Sequence, residues 1–147
     1  MTETELKPYR RGYYQYKSGE VLDVVVALPF AQGNVLKYIF RPGKGRYEED
    51  LGKALFYLQL SRDTADSAVS RVLPQSPFRV LEIAKKVSDF SDELGVRGYV
   101  PAAEAAKEAI LAFSTRDKQS RVEAYAKAEK LIKQQIAVFN RIQNKEQ

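Results

Sequence analysis

Two cations one helical turn apart, Lys37 and Arg41, open the run of residues in this 147-residue chain whose types and spacing could do chemistry. Asn34, Lys37, Tyr38 and Arg41 recur at i, i+3, i+4 and i+7, the spacing that puts four side chains on one side of a helix. Lys44 and Arg46 follow in the glycine-flanked loop PGKGRY, which could fold back towards them. Glu48, Glu49 and Asp50 open the next helical pattern, where Asp50, Lys53 and Tyr57 line one face. Clustered cations and glycine amides suit a di- or triphosphate. Asp50, with Glu48 or Glu49, suits a magnesium ion on those phosphates. The other reading of the same residues is structural: Lys37, Arg41, Glu49 and Asp50 would form surface ion pairs between adjacent helices, each worth only ~0–1 kcal/mol.

Composition narrows the chemistry. The chain has no cysteine and no histidine, which removes thiolate nucleophiles, disulfides, histidine bases and Cys/His zinc sites. Catalysis would have to use carboxylates, Lys, Tyr, Ser or Thr. A net charge of +5 favours an anionic partner. No stretch approaches the ~20 apolar residues that span a bilayer, and the N-terminus lacks a signal-peptide core. The expectation is a cytoplasmic protein with no membrane partner.

The elements that must position these residues are helical. Residues 20–28 (EVLDVVVAL) fit a buried strand or a short helix, because periodicity cannot decide at this length. A helix is expected from Asn34 to Arg41 with Leu36, Ile39 and Phe40 inward. After the turn at 42–47, a second helix buries Leu51, Ala54, Leu55 and Leu58, making an αα-hairpin. Ser76-Pro77 is a start signal for a helix with a Leu81, Ala84, Val87, Phe90, Leu94 stripe and a stop at Gly95. A shorter helix spans 101–113 with Ala102, Ala106, Ala109 or Ile110, and Phe113 inward. The last begins near Thr115, or near Ser120 by a Ser120–Glu123 capping box, with Val122, Tyr125, Ile132, Ile136 and Phe139 as its seam. The fold class is therefore all-α, in one domain over 1–147. Its parts are a helix-loop-helix core, a helical C-terminal unit over 76–147 and an N-terminal strand or arm. In that arm Tyr9, Tyr13, Tyr14 and Tyr16 lie among Lys7, Arg10, Arg11 and Lys17. They could stack bases or pack on the body or a neighbouring subunit.

The fragment PGKG is not a Walker A loop, since Tyr38 and Gly45 stand where that motif needs a glycine and a Ser or Thr. Gly33, Asn34, Lys37, Tyr38, Arg41, Gly43, Lys44, Asp50, Leu51, Lys53, Ala54, Tyr57 and Leu58 do match a recurring pattern. Across roughly residues 13–60 the chain resembles the SaV-like family of small phage proteins. That family includes a nucleoside monophosphate kinase without a Walker motif. The resemblance implies a phage-type nucleotide-binding protein, in the host cytoplasm if phage-encoded, with Lys37, Arg41, Lys44 and Lys53 as phosphate contacts. Family members often carry a His-Tyr pair upstream, where this chain has Tyr14 or Tyr16. The expected ligand-binding set is Asn34, Lys37, Tyr38, Arg41, Lys44, Arg46, Lys53 and Tyr57, with Asp50 and Glu49 as metal ligands. The expected partners are a nucleotide or other phosphorylated small molecule and further copies of the chain, ahead of nucleic acid. A non-catalytic nucleotide sponge and a helical interaction module are the alternatives. A helical pyrophosphohydrolase could draw on Glu49, Asp50, Asp63 and Asp66, but its paired acidic spacing is missing.

Overall fold

The architecture comes from a computed structural model, which describes residues 15–43, 45–64 and 77–146. Lys44, the linker at 65–76 with Asp66 and Ser76, and the arm through Tyr14 lie outside the described residues. Of the two candidates for residues 20–28 the short helix forms, over Val21–Val25, and only Glu20 belongs to a strand. A two-strand antiparallel hairpin, β1 (Gln15–Tyr16) and β2 (Gly19–Glu20), leads directly into a helix, α1 (Val21–Val25). Then come α2 (Phe30–Ile39), α3 (Tyr47–Asp63), α4 (Pro77–Val96), α5 (Val100–Ser114) and α6 (Lys118–Glu146). The fold is all-α, and that hairpin holds the only strands among the described residues. Among the described residues, no helix is long and apolar enough to cross a membrane.

Packing follows the apolar periodicity. α2 lies on α1 and α3, α3 lies between α2 and α6, and α5 joins α4 to α6. α2 begins four residues before the Asn34 start expected from the pattern. Its first turn follows Pro29, whose carbonyl accepts the Gly33 N–H at 2.8 Å. Gly33 is needed there, because a Cβ at that position would sit 2.9 Å from the Val25 carbonyl oxygen. α1 and α2 thus approach backbone to backbone. In α3, Leu51, Ala54 and Leu58 are fully buried and Leu55 packs against the core.

α4 departs from the expected stripe. Ile83, Val87, Phe90 and Leu94 are buried at i, i+4, i+7 and i+11, and Leu81 points to solvent at 70% exposure. Two overlapping apolar spacings exist in α4, and the one with the stricter period packs. Nor does α4 stop at Gly95. It ends at Val96, and Gly98, with a φ of +103°, forms the left-handed cap beyond it. Gly98 N–H donates to the Gly95 carbonyl at 3.0 Å and Tyr99 N–H to the Leu94 carbonyl at 3.3 Å, the paired bonds of a Schellman motif.

α5 buries Ala102, Ala103, Ala105, Ala106, Ala109 and Ala112, and these small side chains let α4 and α6 come close. The Ala102 N–H, otherwise an orphan of the first turn, donates to Gln135 Oε1 at 3.2 Å. α6 starts two residues before the capping-box serine. Asp117 caps it by accepting from the Ser120 N–H at 2.8 Å and the Ser120 hydroxyl at 2.6 Å. The Asp117 carboxyl is accordingly held below its usual range. Along α6, Tyr125 and Ile132 are buried and Ile136 and Phe139 pack on the core, but Val122 is 56% exposed, its place taken by Arg121 and Ala124.

Candidate functional site

The end of α2 is fixed before any polar side chain is presented. Its last carbonyls have no helical partners, and two tyrosines supply them. The Tyr47 hydroxyl donates to the Ile39 carbonyl, and the Tyr16 hydroxyl donates to the Phe40 carbonyl at 3.0 Å. Burial pushes both phenols above the ordinary tyrosine range, which keeps them protonated as donors. Tyr16 also meets Phe40 and Phe90 in an aromatic cluster, with Arg97 4.5 Å above its ring. Neither tyrosine was singled out for this role in the sequence, since both bonds join residues brought together only by the fold.

Arg41, just beyond that fixed end, turns inward. It is buried and pairs with Asp50 on α3, Nη2 to Oδ1 at 3.2 Å. The structural reading of these two residues is therefore the one the fold adopts, as a buried pair between α2 and α3 and not a surface one. Its carboxylate is committed to Arg41, while Glu49 faces Arg46 at 3.4 Å. Arg46 is exposed, bonds Glu48 at 2.7 Å, and does not fold back onto Lys37 and Arg41. Its guanidinium is held above its usual pKa by the hydrogen bond to Glu48 and the nearby acid charges. A magnesium ion held by Glu49 and Asp50 would displace two guanidinium partners, so this donor set does not fit one. Among the described residues, no group of three or more acids could hold a metal ion.

Tyr38 is the hub of what remains. Its ring stacks on Tyr57 of α3 with centroids 6.0 Å apart and planes 7° apart. Three cations gather on it: the Arg41 guanidinium at 4.5 Å, Lys37 Nζ at 5.0 Å and Lys53 Nζ at 5.5 Å from the ring centre. Arg41 is neutralised by Asp50. Among the described residues, neither Lys37 nor Lys53 has a carboxylate partner. Two aromatic rings extend the platform edge-on to Tyr57, Phe30 at 5.7 Å and Phe56 at 5.2 Å. Both are largely exposed.

Two open recesses lie on this part of the molecule, one of them bounded by the stacked pair. One, of about 590 Å³, is lined by Tyr38, Glu49, Gly52, Lys53, Phe56 and Tyr57. The other, of about 490 Å³, lies between α1 and α2 and is mainly apolar, with Asn34 and Lys37 at its polar edge. Asn34 spends its side-chain amide on the Phe30 carbonyl at 3.0 Å. Of the expected set, then, Lys37, Tyr38, Lys53 and Tyr57 come together, Arg41 supports them from below, Asn34 borders the second recess and Arg46 points away. Phe30, Gly52 and Phe56 were not anticipated. The signal for Phe56 was its i+4 spacing from Gly52 and i+3 spacing from Lys53.

Compared with known proteins, the chain matches no family model, no curated protein and no solved structure.

Proposed function

We propose that the α2–α3 face binds a phosphorylated nucleotide and holds it without turnover. The observation carrying this reading is the pair of lysines that share the Tyr38 ring, neither of which forms an ion pair with a carboxylate among the described residues. Uncompensated positive charge beside an open aromatic recess attracts a ligand that joins an anionic group to a flat π-system. A nucleotide is the common molecule of that description. The resemblance of residues 13–60 to a phage family with a nucleotide kinase points the same way.

Holding is favoured over phosphoryl transfer because the acids near the platform are engaged. Asp50 serves Arg41, and Glu49, the acid that lines the recess, faces Arg46. Transfer works by positioning plus charge neutralisation of the moving phosphoryl group, and a general base would have to come from these residues.

The test is a thermal-shift and calorimetric screen against the ribonucleoside and deoxyribonucleoside mono-, di- and triphosphates with magnesium. A ligand at 100 times its Kd should stabilise the fold by ~2.7 kcal/mol. Lys37→Ala/Lys53→Ala should lose that shift while keeping the far-UV circular dichroism of the parent. Recovery of unchanged nucleotide supports holding, and appearance of a diphosphate from a monophosphate and a donor would replace it with a kinase reading. Absence of any nucleotide shift overturns both.

A further inference from the structure

Two glycines sit inside the helices of this hairpin, and only one has a packing reason to be glycine. At Gly33 a Cβ would meet the Val25 carbonyl oxygen at 2.9 Å and its side chain at 3.3 Å. At Gly52 a Cβ would meet nothing within 4 Å among the described residues, and its φ is not in the left-handed region. Gly52 lies in the second turn of the 17-residue α3, inside the helix, where glycine costs stability and alanine would favour it. No turn, close approach or backbone strain accounts for it.

What Gly52 does adjoin is the larger recess. It contributes bare backbone to a surface bounded by Tyr38, Lys53, Phe56 and Tyr57, with Glu49 at the rim. Glu49 and Phe56 stand one turn either side of it along α3 and Lys53 follows it directly, so a side chain at 52 would project between Glu49 and Phe56. From this we infer that Gly52 is a specificity-determining residue of the site: it leaves a flat floor on which a nucleobase lies, with Phe56 and Tyr57 at its edge and its phosphates carried by Lys53 and Lys37. The inference rests on the proposed nucleotide binding and specifies which part of the ligand meets which part of the face. It makes the base, and not only the phosphate, a determinant of binding. The Glu49 carboxylate, whose Oε1 faces Arg46, keeps a second oxygen on the rim as an acceptor for a base edge that offers a donor such as an exocyclic amine.

Gly52→Ala separates this inference from every purely structural account. As a helix substitution at an open position, it should raise the melting temperature by roughly 3 °C. As an obstruction of the floor, it should weaken nucleoside triphosphate binding about tenfold, the order of one lost base-stacking contact. Affinity for inorganic tripolyphosphate, which has no base, should stay unchanged. Calorimetry of the parent, Gly52→Ala and Gly52→Leu with the four ribonucleoside triphosphates and with tripolyphosphate reads all of this, and the leucine variant should lose more than the alanine variant. If Gly52→Ala binds nucleotides as tightly as the parent, or loses nucleotides and tripolyphosphate equally, the base does not lie on Gly52 and the inference falls while phosphate binding stands. If the parent binds neither probe, the nucleotide reading falls with it.

Discussion

α3 presents two polar seams built from the same residue types, and they are finished differently. Towards α6, Glu129 takes hydrogen bonds from Gln59 at 2.8 Å and Arg62 at 3.1 Å and has Lys133 at 3.5 Å, and Ser61 bonds the Tyr125 hydroxyl at 2.6 Å. Each acid or hydroxyl named there has its complement. Towards α2, three cations surround Tyr38, and Asp50 answers one of them. Tyrosine, lysine, arginine and glutamate at helical spacing are thus not a functional pattern in themselves. The informative feature is residual charge beside an open aromatic surface. The α3–α6 seam is complete as a joint, and the α2–α3 seam is complete only at its buried base.

The sharpest way to break this contrast is at that base. Asp50→Asn leaves the Arg41 guanidinium buried without its counter-charge, and removing one partner of a buried pair costs about 3–5 kcal/mol. Urea denaturation of the variant should show a loss of that size. Arg41→Ala should also destabilise, so loss of ligand binding in it would not by itself identify a phosphate contact. A loss below about 1 kcal/mol in Asp50→Asn would mean that water reaches the pair, and Arg41 would return to the ligand face. In the α3–α6 seam, Ser61→Ala should cost about 1–3 kcal/mol because it leaves the Tyr125 hydroxyl buried with one fewer partner, whereas Ser61→Ala/Tyr125→Phe should recover part of that loss. If the double variant is the sum of the two singles, the bond is not the coupling element of that joint.

These outcomes also mark what could be read before the fold was known. The helices were legible because apolar residues repeat at close to 3.6 in strings such as Leu51, Ala54, Leu58 and Val87, Phe90, Leu94, all of which are buried. The punctuation by Pro29, Pro42-Gly43 and Pro77 was equally plain. The side of α2 carrying Lys37, Tyr38 and Arg41 was legible from i, i+1 and i+4 spacing. Whether Arg41 points at a ligand or at Asp50 was not, because that depends on the tilt of two helices around a loop. The same holds for Tyr16 and Tyr47, whose hydroxyls close the end of α2 across 24 and 8 residues of sequence. Leu81 and Val122 were misplaced because each sits two residues before the one that packs, Ile83 in α4 and Ala124 in α6. Two residues span about 200° of a helix, so the members of each pair point to nearly opposite sides.

A smaller effect should appear with pH. The Glu129 carboxyl is held below its ordinary range, first by the Gln59 hydrogen bond, which outweighs the opposing effect of burial, and further by Lys133 and Arg62. A carboxyl depressed in the folded state contributes its stability above the unfolded pKa and loses it as pH falls through the folded one. Stability should therefore decline below about pH 4.5. Glu129→Gln should flatten that decline while lowering stability at pH 7 by under ~1 kcal/mol, since its cations are solvent-screened. If the acid limb is unchanged in Glu129→Gln, the titration belongs to other carboxyls and the α3–α6 seam is not charge-tuned.

The smallest expected effect is the most telling for the comparison. Lys37 and Lys53 each gain about 0.5–1 kcal/mol from the Tyr38 ring at an exposed site, but they share that ring with each other and with Arg41, and like charges close together return much of the gain. Lys37→Ala/Lys53→Ala should then change unfolding free energy at pH 7 by no more than ~0.5 kcal/mol, the usual range for surface positions without a structural role. Urea denaturation at low salt, where the repulsion is least screened, is the measurement that resolves it. A loss above ~1 kcal/mol would place both lysines among the residues that hold α2 to α3, and the two seams of α3 would then be alike. Near-neutrality leaves them as charges the fold does not use, free to meet an anion from outside.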